Sequence, residues 1–234
     1  SMKRRDIHMH AVYVQGLNRI WADFMRRGQR RRVMASSRSP VDIVGAPHEL
    51  IFLEEGHVRV YGMARQAPRL LLLMGPGCLV NTECLEGGQT SHGYVVRAMT
   101  PVTLLVRDIT AWYERRLACE YPELYVNVVQ ALAGINLLFL YRAHAVTFGP
   151  ALSRLCALLL DIHDTKDCPV LRQKDMAELA GITPETASRL LARLEGSGCL
   201  ERVRGGNVRL LDIPRMRELS CQERTLIPWR DGEA

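Results

Sequence analysis

Met176-Ala-Glu-Leu-Ala-Gly-Ile-Thr-Pro-Glu-Thr-Ala-Ser-Arg-Leu-Leu-Ala-Arg-Leu-Glu195 reads as two helices around a tight turn. Met176, Ala177, Leu179 and Ala180 give the first helix an apolar face, and Gly181 is free to take the left-handed conformation that ends it. Ile182 can then plug between the two helices. Thr183-Pro184-Glu185 opens the second helix: the threonine hydroxyl can accept a capping hydrogen bond, proline suits the first helical position, and the carboxylate complements the helix dipole. A helix, a three-residue turn and a second helix form the pattern that lies on duplex DNA.

The second helix has two faces. Ala187, Leu190, Leu191 and Leu194 recur at the spacing that packs on the first helix, which leaves Glu185, Ser188 and Arg189 together on the opposite side near its start. That is where a recognition helix meets base edges, and the chemistry fits: arginine bonds bidentately to guanine, glutamate accepts from the cytosine amino group, and serine adapts. Glu185 and Arg189, four residues apart, also suit a surface ion pair, and both readings can hold. Past Gly198, Leu200 to Arg204 and Val208 to Ile213 flank Gly205-Gly206-Asn207 as two strands about a turn, a wing. Arg172, Thr183, Thr186, Arg193, Arg202 and Arg204, with Arg209, are the candidates for contacts to the DNA backbone.

Upstream the texture changes. Residues 57–61, 70–74, 94–98 and 102–107 read as strands, separated by Gly56, Ala67-Pro68, Gly75-Pro76-Gly77, Gly87-Gly88 and Pro101. From Ile109 the period becomes helical, Pro122 suits a first turn, and Leu124 to His144 is apolar on more than one face. One face would cover its own β domain. The other, with Val128, Leu132, Ile135, Leu138 and Phe139 at coiled-coil-like spacing, would meet the same helix of a second copy in a homodimer. Thr147 to Pro150 breaks the helix. The expected architecture is α+β, with a sensor β-barrel over 1–108, a helical region with the dimerisation helix over 109–148, and a winged helix-turn-helix over 149–234.

The composition is compatible with a polyanionic partner. The chain has 234 residues, 47% of them hydrophobic, a formal net charge of +6 and a pI near 9.1. Ten of its basic residues crowd into positions 1–38, including Arg30, Arg31 and Arg32, which read as a solvated strand or loop or as an auxiliary DNA contact. Seven scattered cysteines form no C-x-x-C pair, which fits a reducing cytoplasm rather than a disulfide framework. No apolar leader stands at the N-terminus, and Asn127, Gln130 and Asn136 interrupt the apolar run Val126 to Tyr141, so no membrane is expected. No nucleophile-and-base pair or carboxylate pair stands at a recognisable spacing, which weighs against the alternative of a small-molecule or metal-binding barrel with enzymatic activity.

Gln173 to Arg209 resembles the DNA-binding domain of the Crp/Fnr family of bacterial transcription regulators without a gap. Leu53 to Tyr61, Gly75-Pro-Gly77 and Val96-Arg-Ala98 are similar to strands and turns of that family's sensor domain, a jelly-roll barrel of the cyclic-nucleotide-binding kind. The resemblance implies a dimer built on a long helix and, for an activator, contact with RNA polymerase. It also implies that Glu185, Ser188 and Arg189 match the base-reading triple of the Fnr-like branch, whose half-sites resemble TTGAT. Where that family's cyclic-nucleotide binders carry a Gly-Glu pair, this chain has Asn81 and Thr82, with Glu83 one place late; His92-Gly93 stands in place of the Arg-Ser pair. Cyclic AMP and cyclic GMP are therefore not expected as effectors. The iron-sulfur cluster of Fnr needs N-terminal cysteines, and none precedes Cys78. The effector is left unidentified. Haem or a metal at Cys78, Cys84 and His92, a redox thiol at Cys78, and a small organic molecule in a pocket lined by Thr82, Glu83, His92 and Arg97 are the open alternatives.

Overall fold

The computed structural model describes residues 8–9, 12–35, 39–63, 67–86, 93–110, 115–165, 168–203 and 207–221. The chain divides into two compact units, Ser1–Phe139 and Leu140–Ala234.

The first unit is a two-sheet β domain. One sheet runs β1 (His8–Met9), β2 (Tyr13–Gln15), β7 (Arg69–Met74), β6 (Val58–Gly62), β9 (Tyr94–Ala98) and β4 (Val41–Ile43) in that order. The other runs β3 (Gln29–Val33), β10 (Val102–Asp108), β5 (Glu49–Glu55) and β8 (Cys78–Leu79). All pairings are antiparallel except β2 with β7. The alternation of side chains along each strand decides what each sheet buries. On β5, Ile51 and Leu53 enter the core between the sheets, while Leu50 and Phe52 point to the outer side of their sheet. β10 does the same with Val102, Leu104 and Val106 against Leu105.

That outer side is covered by helices. Trp21 and the short α1 (Ala22–Met25) join Leu117 of α2 (Arg115–Glu120) and Leu124 and Val128 of α3 (Pro122–Phe148) in a second apolar cluster. Farther along α3, Ala131 and Leu138 close the main core, with Ile135 packed beside them. The 27-residue α3 is long and apolar enough, by length and composition, to cross a membrane, but one side of it is committed to this domain. Asn127, which interrupts its apolar run, is buried: its Oδ1 accepts from Asn18 Nδ2 at 2.9 Å and Trp21 Nε1 at 3.1 Å, and its Nδ2 donates to the Leu17 carbonyl. Asn18 in turn accepts the Leu79 N–H. This network ties β8 and the loop before α1 to the helix, every polar atom of Asn127 satisfied inside an apolar surround. Gly16 and Gly77 both carry positive φ and pass so close that a Cβ on Gly77 would lie 2.7 Å from the Gly16 Cα.

Val128 and Leu138 correct the expected dimer face: both are buried against their own β domain. The exposed side of α3 carries Tyr125, Val126, Val129, Leu132, Phe139 and Leu140 instead. The basic run Arg30 to Arg32 forms most of β3, an edge strand, where Arg30 pairs with Glu54 at 3.1 Å and Arg31 donates to the Val44 carbonyl. A charged edge discourages pairing with another chain.

The second unit starts in the last turns of α3 and continues with α4 (Ala151–Asp164), α5 (Gln173–Ala180), α6 (Pro184–Gly196), β11 (Leu200–Arg202), β12 (Val208–Leu210) and α7 (Ile213–Cys221). The division thus falls within α3, ahead of the Gly149-Pro150 break that the sequence marks.

Candidate nucleic-acid interface

α5 and α6 form the helix-turn-helix. Asp175 at the third position of α5 accepts the Arg172 N–H at 3.2 Å, which starts the helix, and Gly181 ends it with a φ of 64°. Thr183 then caps α6, its hydroxyl oxygen accepting the Thr186 N–H at 3.2 Å, with Pro184 in the first turn. Met176, Leu179, Ala187, Leu190, Leu191 and Leu194 are buried in this unit. The remaining side of α6 faces outward.

On that side Glu185 and Arg189 are exposed and Ser188 is half-buried, with exposed Arg193 one turn farther on. The Glu185 carboxyl is held below its ordinary range, first by its own main-chain N–H and then by the Thr183 hydroxyl, so at neutral pH it is an acceptor without a proton. Thr186 is half-buried beside the cap, and Arg172 is exposed at the start of α5. β11 and β12 pair as the wing, with Leu200 opposite Leu210. Arg202 is bound to Glu195 at 3.2 Å and Arg209 to Glu201 at 2.7 Å, so each must exchange a carboxylate partner for a phosphate in order to clamp DNA. Arg204 lies outside the described residues.

Of the expected effector residues Thr82, Glu83, His92 and Arg97, only Thr82 and Arg97 have described side chains. Val96 and Ala98 enter the core, so Arg97 between them points to the outer face of β9, where it bonds Asp42 through Nε at 2.5 Å and lies 5.3 Å from the centre of the Tyr61 ring. This corrects its assignment to an inner pocket. Thr82 is half-buried at the start of a short 3-10 helix, Thr82–Glu86; the Glu83 side chain and His92 lie outside the description. Neighbouring Asn81 is buried and occupied by β5: its Oδ1 accepts the Ile51 N–H at 2.7 Å and its Nδ2 donates to the Glu49 carbonyl. Cys78 and Cys84 are buried, and desolvation pushes the Cys78 thiol up to about 11, which removes the thiolate a redox sensor uses at neutral pH. Among the described residues no group of three or more His, Cys, Asp or Glu side chains could hold a metal ion. Asn127 is a site the sequence reading passed over, although a polar residue inside an apolar run is the signal for such a hub.

Residues 153–219 match the family model of the Crp-like helix-turn-helix domain. No curated protein matches the chain. Solved structures share its fold over most of its length. A CooA mutant from Carboxydothermus hydrogenoformans is 21% identical, with 88% of this chain and 99% of that chain covered at a TM-score of 0.67. CLP of Xanthomonas campestris, described as a c-di-GMP-responsive global regulator, is 20% identical, with 82% and 97% covered at 0.69. A CRP/FNR-family transcriptional regulator from Thermus thermophilus is 20% identical, with 82% and 98% covered at 0.63.

The chain joins a β domain, a long helix and a winged helix-turn-helix with a polar, outward face on α6. Residues 153–219 are thus a Crp-like helix-turn-helix domain, and the whole chain shares its fold with solved CRP/FNR-type regulators.

Proposed function

We propose that the chain acts in the cytoplasm as a homodimer that binds a palindromic operator with half-sites resembling TTGAT, without catalytic chemistry of its own. The observation that carries this reading is the outward cluster of Glu185, Ser188 and Arg189 at the start of α6. An ionised carboxylate one turn ahead of an exposed guanidinium offers an acceptor for a cytosine amino group and a bidentate donor for guanine. The exposed apolar side of α3, with Leu132 and Phe139, supports the homodimer: surface of that kind on a regulator asks for a partner helix. Thr183, Thr186, Arg172, Arg193, Arg202 and Arg204 are proposed as backbone contacts and, for an activator, RNA polymerase as a further partner. The effector is proposed to be haem or a small organic molecule rather than cyclic AMP, cyclic GMP or an iron-sulfur cluster.

Anisotropy titration of a labelled palindrome at stated salt, with sedimentation of the complex, tests the reading. Two chains per palindrome and a marked loss on changing the guanine of each half-site are the expected results. A monomer on DNA, or equal affinity for scrambled sequence, overturns it.

A further inference from the structure

Arg154, on the first turn of α4, makes five contacts, all to main-chain carbonyls. Its Nη1 reaches the Gly149 carbonyl at 2.6 Å and those of Val146 and Ala145 at 3.3 and 3.4 Å, at the end of α3. Its Nε donates to the Ala180 carbonyl at 2.9 Å and its Nη2 to the Gly181 carbonyl at 3.2 Å, at the end of α5. Arg142, within α3, adds a bond from Nη2 to the Leu179 carbonyl at 3.0 Å. The last carbonyls of a helix lack partners in the helix itself and carry the negative end of its dipole. Here two such ends converge on one planar cation that can serve both at once. Contact between them is close: a Cβ on Gly181 would lie 2.9 Å from Val146 Cγ2, at a residue whose φ of 64° already favours glycine. Thr183, the cap of α6, follows two residues later, so whatever holds Gly181 also holds the start of the recognition helix.

We infer that Arg154, assisted by Arg142, is a positioning residue for DNA recognition: it locks the helix-turn-helix to the end of α3 and thereby sets the half-site spacing that the protein accepts. The lock rests on the homodimer reading only for its consequence. In a dimer joined through α3, a rigid joint fixes the separation of the two recognition helices, and two-site binding gains only where that separation matches the DNA. A loose joint would tolerate several spacings and favour none. Lysine keeps the charge at position 154 but presents it as a point with three donors, and methionine keeps only an apolar stem.

Two measurements test the inference on the full-length protein. The first is affinity for a series of palindromes whose half-sites are moved apart or together by one or two base pairs. The wild type should show one sharp optimum. Arg154→Met should lose about tenfold at that optimum and much less at the neighbouring spacings, with Arg154→Lys between the two. A fold lost or weakened throughout would lower every spacing alike, and that result, or an unchanged optimum, overturns the inference. The second measurement needs no dimer: amide hydrogen exchange should quicken in Arg154→Met around residues 145–149 and 179–182 while the amides of α6 keep their wild-type protection. Unchanged exchange at both segments would refute the lock even where a monomeric wild type had already refuted the homodimer.

Discussion

Arg189 and Arg193 stand one turn apart on α6, both exposed, yet the proposed function gives them different work. Arg189 shares its face with Glu185 and Ser188 near the helix start, where base edges come within reach. Arg189→Ala should cost ~1 to 3 kcal/mol of operator affinity and relax discrimination at one guanine. Arg193→Ala should weaken all sequences alike and lower the salt slope by about one unit. Identical salt and base-substitution profiles for the two variants would show the division to be wrong. Cys78 makes a prediction of another kind. Burial raises its thiol from 9.0 to about 11, so between those values the unfolded chain gives up a proton that the native chain keeps. The stabilisation from keeping that thiol neutral is complete below pH 9 and is lost as pH rises toward 11, at ~1.4 kcal/mol per pH unit for one thiol. Urea unfolding at pH 8, 10 and 11 should fall less steeply for Cys78→Ala than for the wild type; parallel curves would count against it.

Among the elements, α3 serves two surfaces, and the residues that serve each can be separated by mutation. Leu132→Glu places a charge on the exposed apolar side and should dissociate the proposed dimer and abolish palindrome binding together, with the β domain intact. Leu138→Ala opens a cavity in the main core and should lower unfolding stability by ~2 to 5 kcal/mol while leaving sedimentation unchanged. Should the two effects be exchanged between the variants, the assignment of faces is reversed. That assignment was only half legible in the sequence. Helical spacing announces two apolar faces on α3 but says nothing of which one meets the sheet, and so Val128 and Leu138 were grouped with Leu132. β6, β7, β9, β10, α5 and α6 were legible because their periods are regular and their ends carry glycine, proline or a cap. β3 was not assigned outright, since three consecutive arginines form a strand only because β10 supplies one pairing edge. Arg97 was misplaced in spite of a sound signal: its position between Val96 and Ala98 fixes it on the opposite face. The carbonyl contacts of Arg142 and Arg154 had no local signature at all, because their acceptors lie up to 37 residues away in the chain.

On the scale of the whole molecule, the proposed effector would act at the β domain, and there two of the described polar residues, Asn81 and Arg97, are otherwise engaged. Anchoring a cyclic phosphate asks for a cation and donors aimed at it, and anchoring the ribose asks for a carboxylate or equivalent acceptor. Asn81, at the place where the family resemblance puts the start of a Gly-Glu pair, spends its amide on the main chain of Glu49 and Ile51. Thr82 beside it carries no charge, and Arg97, a cation on a strand of the same domain, faces outward and is bound to Asp42. Breaking the Arg97 ion pair to recruit the guanidinium would also require it to cross to the other side of its strand, which exchanges Val96 and Ala98 out of the core. Cyclic AMP and cyclic GMP should therefore leave both folding stability and DNA affinity unchanged. A thermal shift assay is decisive, since a ligand at one hundred times its dissociation constant adds ~2.7 kcal/mol to the folded state, and operator DNA serves as the positive control for the same protein. A saturable rise with either nucleotide at sub-millimolar concentration would mean that Glu83 and His92 build a site that Asn81, Thr82 and Arg97 do not.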